Sequence, residues 1–271
     1  DATHNAEWSK AAEFFWQTVV DKRSVAIGGN SVKEHFHDQQ DFSPMVNEVE
    51  GPETCNTYNM LKLTELLYLS SAAQSPQMKY VEYYERALYN HILSSQNPTT
   101  GGFVYFTPMR PNHYRVYSQV DKGMWCCVGS GLESQSKYAE FIYAREAVKG
   151  KSPAVYVNLF IPSRLEWKEK GIFFTQQTQF PDQETITLRI DKTARFNLNV
   201  RYPLWALDKS AMVSINGEPV SVTAVPGQYI SLERRWKKGD RVELTVPMQT
   251  KLEQMPGNEN YYAVLHGPIV L

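Results

Sequence analysis

Apolar residues recur at two different periods along this chain, and the change of period near residue 150 divides it. Before that point they fall three or four apart: Ala11, Phe14, Phe15 and Val19, then Tyr58, Leu61, Leu66 and Leu69, then Tyr80, Tyr84, Ala87, Leu88 and His91, then Leu132, Tyr138, Phe141 and Ile142. That spacing lines one face of an α-helix, so four helices joined by long loops are predicted. After Gly150-Lys151-Ser152-Pro153 the period falls to two and β-branched and aromatic residues dominate. Strands are predicted within 154–160, 171–180, 184–190, 196–202, 211–217, 228–233, 240–246 and 261–267, with turns at Asn216-Gly217, Pro226-Gly227 and Gly239-Asp240. Helices followed by strands predict an all-α domain over 1–150 and an antiparallel β-sandwich over 151–271.

Two of the inter-helix loops, 28–52 and 97–128, are longer than a connection needs, and loops of that length are commonly functional. The first carries Gly28-Gly29-Asn30 and the run from Lys33 to Asp38, the second Tyr105, His113, Tyr114 and a cysteine pair. Composition narrows the partners. A formal net charge of -1 gives no field that gathers nucleic acid or an anionic membrane surface. No stretch approaches the roughly 20 apolar residues that span a bilayer, so no membrane insertion is expected, and the first residues lack the order of a signal peptide. The compartment, whether secreted, periplasmic or cytoplasmic, stays open.

The three cysteines occupy only two clusters, Glu53-Thr54-Cys55 and Trp125-Cys126-Cys127. A disulfide framework leaves one thiol over, whereas tetrahedral zinc takes four ligands, and one carboxylate with three thiolates meets that number. Gly51-Pro52 reads as a helix start, which places Glu53 and Cys55 in one first turn, where the helix dipole favours both anions. Residues two apart on a regular helix point to different sides, so a shared ion requires that turn to be irregular. Buried structural cysteines are the competing account, but adjacent cysteines beside a tryptophan in a glycine-rich loop, Gly123 to Gly131, are an unusual choice of core residue.

These words resemble a family. Gly28-Gly29-Asn30 through Glu34, Glu53-Thr54-Cys55, the run Glu85-Arg86-Ala87-Leu88-Tyr89-Asn90, Phe103-Val104-Tyr105 and Cys126-Cys127 resemble, in order and rough spacing, the bacterial β-L-arabinofuranosidases of glycoside hydrolase family 127 and its neighbour family 146. Trp236-Lys237-Lys238-Gly239-Asp240 with Pro247 is similar to the family's β-sandwich. The resemblance implies the C-terminal part of an (α/α)6 toroid followed by the sandwich, the latter cut short at its C-terminal end. It further implies a retaining hydrolase acting on a carbohydrate substrate, with Cys126 as nucleophile, Glu34 as general acid and base, and zinc on Glu53, Cys55, Cys126 and Cys127. Tyr105 matches a tyrosine that contacts the sugar, and Glu85 an acid that supports its neighbours. Lys33 stands where family 127 has glycine, and Val128-Gly129-Ser130-Gly131 replaces a proline-rich turn, which leans toward family 146.

Other readings compete. His35 and His37 alternate along an extended segment and so share a face, which suits a metal or a sugar contact as well as polar loop residues. The basic run Arg234, Arg235, Lys237 and Lys238 reads as a solvated hairpin rather than a nucleic-acid surface. A non-catalytic carbohydrate-binding module stapled by zinc, or a lyase or epimerase on a similar toroid, would need no cysteine nucleophile. Half a toroid would leave apolar helix faces open, so this piece alone is expected to be inactive and to self-associate, as in a homo-oligomer.

Overall fold

The computed structural model describes residues 6–71 and 77–271, and it is a mixed helix-and-sheet chain in two compact units. One unit comprises Asp1–Tyr138 with Lys251–Leu271, the other Ala139–Thr250. The division therefore falls earlier than residue 150, and the last strands group with the helices rather than with the other strands.

Within the first unit the helices are α1 (Ala6–Arg23), α2 (Ser43–Asn47), α3 (Thr54–Ser71), α4 (Met78–Ala87) and α5 (Cys126–Lys137). None among the described residues is long and apolar enough to cross a membrane. The buried face of α4 is the expected one, with Tyr80, Tyr84 and Ala87 all enclosed, whereas those of α1 and α3 agree only in part. On α1 the buried residues are Trp16 and Val19, while Phe14 is 70% exposed. On α3 Tyr58 and Leu61 are buried, but Leu66 is 64% exposed. Helix α5, the fourth of those predicted, ends at Lys137, short of Phe141 and Ile142, whose apolar spacing instead leads into a strand beginning at Tyr143. Helix α5 also contains both adjacent cysteines, which the glycines around them had assigned to a loop.

Helix α4 runs directly into a π-helical turn, Leu88–Ile92, and then a 3-10 turn, Leu93–Ser95. The motif from Glu85 to Asn90 sits across this junction and ties the unit together. Asn90 donates to the Pro268 carbonyl at 2.8 Å and accepts from the Val270 amide at 2.8 Å, while Arg86 forms an ion pair with Glu253 at 2.8 Å. These bonds fasten the three-stranded sheet of β11 (Thr250–Gln254), β12 (Tyr262–His266) and β13 (Ile269–Val270) to the helices.

The second unit holds two sheets. One is ordered β1 (Tyr143–Glu146), β2 (Ala154–Val157), β6 (Ala194–Tyr202), β9 (Gln228–Trp236). The other is ordered β3 (Ser163–Trp167), β4 (Ile172–Thr178), β5 (Thr185–Ile190), β10 (Arg241–Thr245), β7 (Met212–Ile215), β8 (Glu218–Val220). Pairing is antiparallel except between β2 and β6, which run parallel, a departure from the all-antiparallel expectation. Alternation does what period two requires on β5, where Ile186, Leu188 and Ile190 are buried and Thr185 and Arg189 exposed, whereas β6 is enclosed on both faces from Leu198 to Tyr202; Phe174 of β4 meets Phe196 of β6 and Tyr143 of β1 through its ring.

The turn chemistry is as the sequence predicts. Asn216 and Gly217, with φ of 54° and 87°, close the β7–β8 hairpin, where both central residues need positive φ. Trp236 to Asp240 makes no hairpin, however, because β9 and β10 belong to different sheets. Trp236 is fully buried and donates to the Phe196 carbonyl at 3.2 Å, and Asp240 accepts from the Lys237 amide at 2.8 Å. The word Trp-Lys-Lys-Gly-Asp is thus a corner between sheets, with the two lysines exposed.

Candidate metal centre

A pair of crossing segments builds the site. The segment before α3 runs beside residues 104–107: the Thr54 amide donates to the Tyr105 carbonyl at 3.0 Å, the Thr107 amide to the Pro52 carbonyl at 2.9 Å, and Glu53 bridges to Phe106. Glu53 therefore lies in an extended bridge and Cys55 in the first helical turn. This resolves the geometric objection to residues two apart, since they are not on one regular helix. Thr54 fills the gap between them and donates its hydroxyl to the Val104 carbonyl at 2.9 Å.

The loop from Gly28 crosses close behind. Gly28 has φ of 82°, and a Cβ there would lie 2.7 Å from that of Ala87 on α4; a Cβ on Gly29 would lie 2.4 Å from that of Pro52. Only glycines allow this approach. It places Asn30, fully buried, against the hydroxyl of Tyr83 at 3.1 Å and the amide of Asn56, and Ser31 at 3.0 Å from the Glu53 amide. Beneath them His91, in the π-helical turn, meets the Thr57 hydroxyl at 2.9 Å, and burial pushes its imidazole pKa down to about 3.

Helix α5 brings the other half. A Cβ on Gly131 would lie 2.4 Å from the Phe103 ring, so this glycine lets α5 pack against the 103–107 segment and delivers its N-terminus to Glu53. Cys126 Sγ and Cys127 Sγ each lie 3.9 Å from Glu53 Oε1 and 3.9 Å from one another. One donor atom each from Glu53, Cys55, Cys126 and Cys127 all fall within 4.8 Å of one another. Thiolates about 2.3 Å from a tetrahedral ion stand about 3.8 Å apart, so these edges match the spacing such an ion needs. Three soft sulfurs with one carboxylate suit zinc among common ions.

Electrostatics agree. Burial, with the negative charges of Cys55 and Glu34 nearby, raises the Glu53 pKa to about 7. The hydrogen bond between Cys127 and Cys55 lowers Cys55 to about 6 and, with burial, drives Cys127 well above the usual thiol range. Four donors this close resist sharing negative charge unless a cation is among them.

Tyr105 spans two remaining groups. Its hydroxyl donates to Glu34, and Cys126 Sγ lies 3.3 Å from it; these contacts hold the phenol far above its ordinary pKa, Cys126 foremost. Glu34 and Cys126 are both exposed, whereas Cys127 is buried. The rings of Phe106 and Trp125 flank Tyr105 at 4.4 and 5.9 Å.

The supporting candidates divide. Both ring nitrogens of His37 face backbone carbonyls, Nδ1 those of Asp38 and Asp41 at 2.6 and 2.9 Å and Nε2 that of Arg23 at 3.2 Å, so this histidine shapes the loop instead of reaching an ion. His35 is exposed, Glu85 is buried on α4, and neither joins the four-donor group. Sequence reasoning assigned no role to Ser31, His91, Trp125 or Ser130; a serine two residues before Lys33 or a histidine on an apolar face carries no spacing signal of its own.

With this geometry in place, the comparisons assign the family. The family model described as the β-L-arabinofuranosidase GH127 catalytic domain matches residues 1–140, and that of the GH127 middle domain matches residues 154–248. The chain belongs to glycoside hydrolase family 127. Among solved structures it is similar to a GH127 β-L-arabinofuranosidase from Geobacillus stearothermophilus T6, with 23% identity, a TM-score of 0.79, and coverage of 99% of this chain and 44% of that one. It is also similar to the GH127 β-arabinofuranosidase BT3674, with 26% identity, a TM-score of 0.76 and the same two coverages, 99% and 44%. The chain thus spans less than half the length of these solved structures. None of the curated proteins compared with it matches.

Proposed function

We propose that the protein containing this chain is a retaining glycoside hydrolase that releases L-arabinofuranose, with zinc held by Glu53, Cys55, Cys126 and Cys127. In this reading the helices are the later part of an (α/α)6 toroid and the second unit is a β-sandwich. The domain family and the similar solved structures support that reading. The observation that carries the chemistry is the single phenol of Tyr105 reaching both Glu34 and Cys126. Two groups within hydrogen-bond reach of one oxygen are separated by on the order of 6 Å at most. Retaining hydrolases hold their two reacting groups about 5–5.5 Å apart.

A bound zinc would keep its cysteine ligands deprotonated without a neighbouring base. Cys126, exposed at the N-terminus of α5, attacks the anomeric carbon as the glycosidic C–O bond breaks, and Glu34 gives its proton to the departing oxygen. Glu34 then takes a proton from water, the water oxygen attacks the same carbon, and the C–S bond breaks to return the Cys126 thiolate. Two inversions give net retention. Tyr105 orients both groups before the sugar arrives. The exposure of Cys126 beside buried Cys127 favours this over a purely structural zinc staple, which gains nothing from an open sulfur.

Proton NMR of the first sugar released from a β-L-arabinofuranoside tests the reading. Initial formation of the β anomer is expected; initial formation of the α anomer, or no hydrolysis of any arabinofuranoside by the zinc-loaded protein, overturns it.

A further inference from the structure

Cys55 and Cys126 each have a hydroxyl beside the sulfur, and the two hydroxyls come from different places. Tyr105 serves exposed Cys126 at 3.3 Å, while Ser130 Oγ lies 3.2 Å from Cys55 Sγ. Ser130 sits in the run where this sequence departs from the proline-rich turn, one turn into α5 and buried. The last three members of that run, Gly129 to Gly131, have separate local settings. Gly129 points into open space, Gly131 admits the Phe103 ring, and Ser130 turns inward to the sulfur. A helical serine's usual alternative is to bond back to the carbonyl one turn earlier. Here that partner, Cys127 O, is farther away at 3.4 Å.

We infer that Ser130 is a positioning residue for the metal site: its O–H donates to the Cys55 thiolate and fixes the direction and charge of that ligand. The inference rests on the metal-site reading above. A hydrogen bond to a metal thiolate lowers the energy of its lone pairs and draws charge off the sulfur, leaving more of the cation's field for the other three donors. It also orients a ligand that arrives from α3 toward partners carried on α5. Loss of an outer partner of this kind weakens metal binding by about tenfold.

Cobalt(II) in place of zinc provides a readout independent of turnover. In Ser130→Ala the sulfur-to-cobalt charge-transfer band is expected to move to longer wavelength, because the freed lone pair rises in energy, and zinc affinity in a chelator competition should fall about tenfold. Ser130→Thr, which keeps the hydroxyl, should return both toward the parent values. Ser134→Ala is the control: Ser134 is buried one turn later on α5 and bonds the Ser130 carbonyl at 2.8 Å, with no contact to sulfur. It should leave the band in place. An unmoved band and unchanged affinity in Ser130→Ala, with cobalt bound normally, would overturn the role of Ser130 alone. Equal shifts from Ser130→Ala and Ser134→Ala would overturn it in favour of a general effect on the helix. A parent protein with no thiolate-to-cobalt band would remove the metal site and this inference together.

Discussion

The aromatic core of the strand unit and the surroundings of the cysteine cluster in the helical unit bury different things. In the strand unit the core is aromatic and aliphatic, with Trp236, Phe174, Phe196 and Phe160 almost wholly enclosed. Around the candidate metal centre of the helical unit the enclosed set is polar: Asn30, Ser31, Thr54, Thr57 and His91, most of them bonded to backbone or to one another. Enclosing polar groups stabilises little, because each bond replaces one to water. The second arrangement therefore makes sense as positioning, and the contrast implies that substitutions in the strand core should cost stability while those around the cluster cost chemistry.

The largest separation is expected from Glu34→Gln. Hydrolysis of substrates with poor leaving groups should fall by about 10²–10⁴-fold, while the glycosylation step on an activated aryl arabinofuranoside is largely spared. Pre-steady-state release of the aryl group checks this, and an equal loss on both substrates would reduce Glu34 to a sugar contact. The folded state should be unchanged, since Glu34 is exposed.

Trp236→Ala is the mirror case. It removes a fully buried ring and its bond to the Phe196 carbonyl, at a cost of about 3–5 kcal/mol in denaturant unfolding. Zinc content under folding conditions should be unaltered; loss of metal in step with loss of stability would break the comparison.

Gly28→Ala should show a smaller effect of mixed kind. The position combines positive φ with a Cβ placed 2.7 Å from Ala87, so more than about 1 kcal/mol of stability is lost. The loop carrying Asn30 and Ser31 must also shift, and chelator competition should report weaker zinc binding. Lys238→Ala, on the exposed corner between sheets, is expected to change stability by less than about 0.5 kcal/mol in the same unfolding assay.

The same contrast explains what could be read in advance. Strands such as Thr185–Ile190 declare themselves by alternation, and Asn216-Gly217 by the φ its turn demands, because both signals are local. The grouping of Glu53, Cys55, Cys126 and Cys127 was also legible, since sulfur is scarce and its clustering stands out. What could not be read is long-range. Phe14 and Leu66 keep helical spacing yet lie exposed, so periodicity identified the buried face of α4 but only part of those of α1 and α3. Phe141 and Ile142 continue an apolar spacing past Lys137 because they are themselves buried in the turn that leads into β1. The polarity of β2 against β6 is set by the crossover between sheets, which no local window contains. Ser130 reaches Cys55 across 75 positions of sequence, and only the packing of α5 on Phe103 brings them together.

Cys126 is the point on which the account turns. Glu34→Gln, loaded with zinc and mixed with an activated aryl β-L-arabinofuranoside, should form the sugar–sulfur bond and then stall for want of a base. Peptide mass spectrometry of the quenched reaction should place one anhydropentose on the peptide carrying Cys126, in proportion to the aryl burst. A burst with the pentose on another residue, or turnover with no adduct and no burst, would contradict it.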